Sequence, residues 1–179
     1  MQLIESQTTY NAALQLLAQR GVQVQDIAEI VFFLQENYIQ GLTKERCLES
    51  VQRVLQKREV QNALITGIQL DMLAEQNKLI SPLQEIIESD ESLYGIDEVM
   101  SFAIVNLYGS IGFTNYGYVD KLKYGILERL NDKRYGVHTF LDDLVGAIAA
   151  AASSRLAHRT RREAEERLRM QREFNTSVK

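Results

Sequence analysis

Behind two adjacent carboxylates, Asp142 and Asp143, the chain runs Leu144-Val145-Gly146-Ala147-Ile148 into four alanines, Ala149 to Ala152, and two serines. No other stretch restricts the fold so tightly. Small residues at helical spacing (Gly146, Ala147, Ala150, Ser153, Ser154) leave little side chain on their face, so neighbouring helices can approach closely. Thr139 with Asp142 three positions later fits a capping box, which starts this helix just before the acid pair. The expectation is a closely packed helix with two carboxylates at its start.

The rest of the chain is consistent with a wholly helical protein. It has 179 residues, one proline and 45% hydrophobic content, enough for one core. Apolar residues recur at intervals of three and four: Ile27, Ile30, Val31 and Leu34; then Leu48, Val51, Val54 and Leu55; then Leu122, Ile126, Leu127 and Leu130. Asp26 with Glu29 suggests a second capping box, and Thr43 is a good N-cap. The helix after Thr43 meets no strong breaker at 57–59 and is expected to continue to about Ala74. Pro82 suits the first position of a short helix. The fold class is therefore all-α: a single multihelical domain of orthogonal type over residues 1–158, with a charged helical tail over 159–179. Glu163 and Arg167 provide an i,i+4 pair in that tail.

Charge and cysteine usage narrow the function classes. A net charge of −4 gives no overall bias toward nucleic acid or anionic membrane, and no nucleic-acid partner is expected. The distribution is uneven, because from Arg155 onward seven Arg and one Lys face four Glu. The lone Cys47 excludes an intrachain disulfide and a cysteine-based zinc cage. Cys47 and Arg53 share the spacing of cysteine phosphatases, but the residues between them read as mid-helix, not as a phosphate-cradling loop. The N-terminus has no signal-peptide pattern. Val99 to Val119 carries no Asp, Glu, Lys or Arg, yet its Asn, Ser, Thr and Gly content argues against a membrane span. It reads as a buried helix to about Tyr108 followed by a glycine-rich loop. A soluble, cytoplasmic protein is expected, with peripheral contact at the inner face of the membrane and self-association as further expectations.

Three acidic sites then open three predicted helices: Asp97 with Glu98, Asp120, and Asp142 with Asp143. If these starts converge, their charges cannot all persist without protonation, basic partners or divalent cations. Oxygen-only ligands suit a hard ion such as Mg²⁺, with Mn²⁺ as alternative. Such an ion bridges phosphate oxygens and activates water, the chemistry of phosphate ester hydrolysis. The competing reading is that acids simply favour the first turn of any helix. Adjacent helical residues lie about 100° apart, so Asp143 is the favoured ligand and Asp142 a cap or second ligand. Asn115, with Thr114 and nearby glycines, is the candidate for contacting an anionic substrate; an ordinary turn is the alternative. His138 is a candidate proton donor or merely a solvated connector residue, and Tyr108, Tyr116, Tyr118 and Tyr124 cluster nearby in sequence.

These blocks resemble the phosphatidylglycerophosphatase A family. The resemblance lies in Ile96-Asp97-Glu98-Val99, in Asp120-Lys121-Leu122-Lys123, and in Leu141-Asp142-Asp143-Leu144 with the Gly/Ala-rich helix behind it. It implies a Mg²⁺-dependent phosphatase that removes the phosphate monoester of phosphatidylglycerol phosphate in phospholipid synthesis. By position it implies that Asp97, Glu98, Asp120 and Asp143 hold metal, that Asp120, Asp142 and Asp143 are catalytic, and that Lys123 contacts phosphate. The partner implied is a phosphate-bearing lipid, or a small phosphomonoester. Where membrane-bound members carry a Pro-Gly-Thr segment, this chain reads Arg20-Gly21-Val22-Gln23. It therefore looks like the soluble branch found in Gram-positive bacteria. A non-catalytic helical protein that binds a partner or self-associates is the second reading.

Overall fold

A computed structural model describes residues 5–177. Among the described residues nine α-helices follow one another: α1 (Ser6–Gln19), α2 (Val24–Gln35), α3 (Lys44–Leu55), α4 (Arg58–Glu75), α5 (Leu83–Ser89), α6 (Ile96–Val105), α7 (Gly109–Leu122), α8 (Ile126–Leu130) and α9 (Leu141–Ser177). Short 3₁₀ turns precede α7 and follow α8. The all-α class read from the spacing is what the structure has, and α9 runs unbroken through position 158.

The small-residue segment is the axis of the fold. α2, α3, α4, α6, α7 and α8 all pack on α9. Ala147 to Ala152 are buried on every side, not along a single face. Side chains so small let several helix backbones close in, and serine hydroxyls bond across two of these contacts, one from α3 to α9 and one from α9 to the turn before α7. Ser50 donates to Ala152 O (2.9 Å), and Ser154 donates to Tyr108 O (2.7 Å). Gly67 of α4 crosses α9 where a Cβ would sit 2.6 Å from Leu144 Cδ1 and 2.9 Å from Phe140 Cβ, so only glycine fits there without displacement.

Several local expectations change. Helix α3 stops at Leu55 and α4 starts afresh at Arg58, because the amide of Gln61 reaches back to Leu55 O and turns the chain. The second capping box is Gln23 with Asp26, not Asp26 with Glu29. Thr43 does cap α3, accepting from Arg46 N. Pro82 is the N-cap of α5 and not its first helical residue. The expected loop after Tyr108 is α7. Of its glycines, Gly112 serves packing: a Cβ there would lie 3.2 Å from Val105 Cγ1 and from Val105 O. In the tail Glu163 pairs with Arg159 and Arg46, while Arg167 donates to Glu163 backbone O. Among the described residues no helix is long and apolar enough to cross a membrane.

Candidate metal centre

The start of α9 is held by a residue on another helix. On α4, Val60, Leu64, Gly67, Ile68 and Ala74 form a buried stripe, and Asp71 lies within it. The Asp71 carboxylate accepts from Phe140 N (3.1 Å) and Leu141 N (3.0 Å), two of the free N–H groups at the α9 terminus. One turn on, Glu75 accepts from Val137 N (2.9 Å) and from both terminal nitrogens of Arg20. Arg20 also donates to Val137 O. Thr139 is thereby freed from capping, and its hydroxyl donates to Ile87 O (2.6 Å). Burial pushes the Asp71 carboxyl well above the usual range, against the pull of the two N–H donors. Sequence reasoning missed Asp71, although an acid on an apolar stripe at i,i+3/i+4 spacing was a visible signal.

This clamp aims Asp143 at the start of α6. Single oxygens of Asp97, Glu98 and Asp143 lie within 4.8 Å of one another. Asp97 and Asp143 are buried. Asp97 Oδ1 and Glu98 Oε2 are shut off from solvent without a hydrogen-bond partner among the described residues. Desolvation raises the Asp97 carboxyl to about 7, with Glu98 adding to the shift. Desolvation, then Asp142, raises Asp143 to about 8 against the attraction of Lys123. Ser101 Oγ and Tyr116 Oη also lie buried beside this group, without hydrogen-bond partners among the described residues. Burial and the Asp143 charge hold the Tyr116 phenol far above its ordinary value, so at neutral pH it is a proton-bearing donor.

Asp142 points to the other side. Lys123 Nζ lies 2.8 Å from Asp142 and 2.6 Å from Asp120, and 3.9 Å from Asp143. Burial lowers the Lys123 pKa, but Asp142 and Asp120 together outweigh it and keep the ammonium charged. Asp142 is raised by desolvation, against Lys123. Asp120 lies at the end of α7, not at a helix start, and its side chain is 42% exposed. The acids thus form an oxygen triad, buried at Asp97 and Asp143, with a lysine-bridged pair beside it. Protonation relieves such crowding, and so does a hard divalent ion, which binds desolvated carboxylate oxygens that have no other partner. The triad fits that ion.

Other candidates lie elsewhere. Asn115 does not join the acids; it lines a cavity between α2 and α7 with Phe33, Asn37, Tyr38 and Tyr118. Thr114 donates to Ser110 O inside α7, so no anion-binding turn forms there. Tyr118 and Tyr124 stack on Phe33, with centroids 6.4 and 4.0 Å away. His138 is buried and not solvated: its Nδ1 lies 3.1 Å from Leu130 O, and desolvation, then Arg20, lowers its pKa. Cys47 is buried in α3, where desolvation lifts the thiol to about 11, the reverse of an activated nucleophile.

Comparison with known proteins gives the family and the fold. Residues 13–158 match the family model described as Phosphatidylglycerophosphatase A. The uncharacterised protein YutG of Bacillus subtilis is 68% identical over 146 residues, 81% of this chain and 88% of that protein. The crystal structure of the low temperature requirement C protein from Listeria monocytogenes is 58% identical, with a TM-score of 0.83 over 86% of this chain and 98% of that one. That of ypjQ from Bacillus subtilis is 50% identical, with a TM-score of 0.84 over 88% and 98%.

Proposed function

The chain belongs to the phosphatidylglycerophosphatase A family, and on that premise we propose that it is a divalent-metal-dependent phosphatase acting on a phosphate monoester, with phosphatidylglycerol phosphate as substrate. One observation carries the reading: three carboxylate oxygens within 4.8 Å, two of the groups holding a buried oxygen with no hydrogen-bond partner. Asp97, Glu98 and Asp143 would hold Mg²⁺ or Mn²⁺. When bound, the ion supplies charge neutralisation for phosphate oxygens and acidifies a water. Lys123, kept charged between Asp120 and Asp142, offsets the phosphate's negative charge. Asp120, at the exposed edge, would accept a proton from water. The proton-bearing Tyr116 hydroxyl, which has no partner among the described residues, would be a hydrogen-bond donor to a ligand held beside Asp143.

An apolar surface adjoins the acids and supports an amphiphilic substrate. Phe102 lies 5.7 Å from Phe113 and 5.6 Å from Tyr116, and Val99, Phe102 and Phe113 are exposed. The reading places the protein in the soluble branch of the family, working on the cytoplasmic face of a membrane it does not cross. The same exposed surface supports the second reading, a non-catalytic protein that self-associates or binds a partner. Phosphate release from phosphatidylglycerol phosphate, with and without Mg²⁺, decides between them. Release should need the metal and fall at least about 100-fold in Asp143→Asn, the scale of losing one essential charged group. Equal release by wild type and variant would sink the assignment. Release from a soluble phosphomonoester alone would keep the chemistry and change the substrate.

A further inference from the structure

A second site of opposite charge lies farther along α9. Where the start of α7 meets the middle of α9, a cavity of about 540 Å³ is lined by Tyr108, Gly109, Arg155, His158, Arg159 and Arg162. That volume falls within the range of small-molecule sites. Arg155 stands twelve residues beyond Asp143, about 18 Å along a helix rising about 1.5 Å per residue. The cavity is therefore separate from the acidic group.

Its charge is only partly spent. Arg159 is paired with Glu49 (2.8 Å) and Glu163 (2.9 Å). Arg155 and Arg162 make no ion pair among the described residues; Arg155 only reaches the Ser50 hydroxyl at 3.4 Å. Lys57 adds a third positive charge, 5.7 Å from the centre of the Tyr108 ring. Nothing lies within 4 Å of a Cβ placed on Gly109, so the backbone there is open to a ligand. The first turn of α7 has no side-chain cap, and Tyr108 Oη is buried without a hydrogen-bond partner among the described residues. Guanidinium forks match the oxygens of phosphate groups, and the Tyr108 ring with Leu107 offers an apolar wall beside them.

We propose that this cavity binds a phosphate-bearing anion, either a free phosphorylated compound or a phospholipid headgroup. The site does not depend on the phosphatase reading. Inorganic pyrophosphate is titrated calorimetrically into the full chain with a chelator present, so that the acidic group holds no metal and repels the probe. Vesicles of phosphatidylcholine, with or without phosphatidylglycerol, are tested in parallel by sedimentation. The variants are Arg155→Gln with Arg162→Gln, and exposed Arg162→Gln alone, which removes charge without touching the core. Binding should weaken about tenfold in the double variant and about threefold in the single, as charge-assisted hydrogen bonds are lost. Pyrophosphate should also slow amide exchange at Ser110 and Ile111 in the wild type. Sensitivity with pyrophosphate assigns a free phosphate compound; sensitivity only with phosphatidylglycerol vesicles assigns a headgroup. If neither probe binds, or both variants bind as the wild type does, the proposal is overturned.

Discussion

Residues 143–154 of α9 are buried, whereas from Arg161 to Asn175 the same helix is almost entirely exposed. The first part carries glycine, alanine and serine and is held by helices on every side. The second carries charge and is laced by pairs such as Arg161–Glu165 (3.0 Å) and Arg169–Glu173 (3.7 Å). A continuous helix thus passes from tertiary to local stabilisation. Exposed pairs each contribute only a few tenths of a kcal/mol, while buried packing and buried hydrogen bonds contribute several times more. The candidate chemistry sits on the part that packing holds, where an Å-scale position can be kept.

Changes at the buried end should therefore cost far more than changes at the exposed end. Asp71→Ala leaves the Phe140 and Leu141 N–H groups without an acceptor and should cost about 3 kcal/mol in denaturant unfolding. Asp71→Asn keeps one acceptor and should cost less. A loss below about 0.5 kcal/mol for Asp71→Ala would show that the clamp does not hold α9.

The acid triad makes the buried end sensitive to pH. The folded pKa values of Asp97 (about 7) and Asp143 (about 8) lie above the unfolded value of roughly 4. Without metal, the native state then binds more protons than the unfolded chain between about pH 4 and 8, so stability falls as pH rises through that window. Allowing for solvent screening, the fall should be on the order of 2 kcal/mol, or about 5 °C in Tm. Mg²⁺, which binds the ionised acids, should reduce that slope. A Tm that rises from pH 5 to pH 9 without metal would contradict the crowding argument.

Gly67→Ala should cost about 1–2 kcal/mol, because the clash with Leu144 and Phe140 outweighs the gain in helix propensity. At the exposed end, Arg161→Ala should cost only about 0.3 kcal/mol by the same unfolding measurement. If it matches the cost of Gly67→Ala, the contrast between the two parts of α9 fails.

Most of the helices could be read from the spacing, and so could the acid motifs at 97–98 and 142–143. Misreadings fell where a distant residue overrides a local signal. Glycines after Tyr108 resemble a loop in sequence, yet Gly112 is where Val105 needs room. Thr139 resembles a cap, yet Asp71, about 70 positions earlier, takes the N–H groups. His138 resembles a solvated connector residue, yet Leu130 O binds it in the interior.

What the sequence determined alone was helix content, the small-residue axis and the identity of the acids, because each is a matter of local period and composition. Only the tertiary structure decided that Asp143 meets Asp97 and Glu98 while Asp142 and Asp120 share Lys123. Neighbouring residues on a helix face different ways, and which of them reaches a common centre depends on the angle at which α9, clamped from α4, passes α6 and α7.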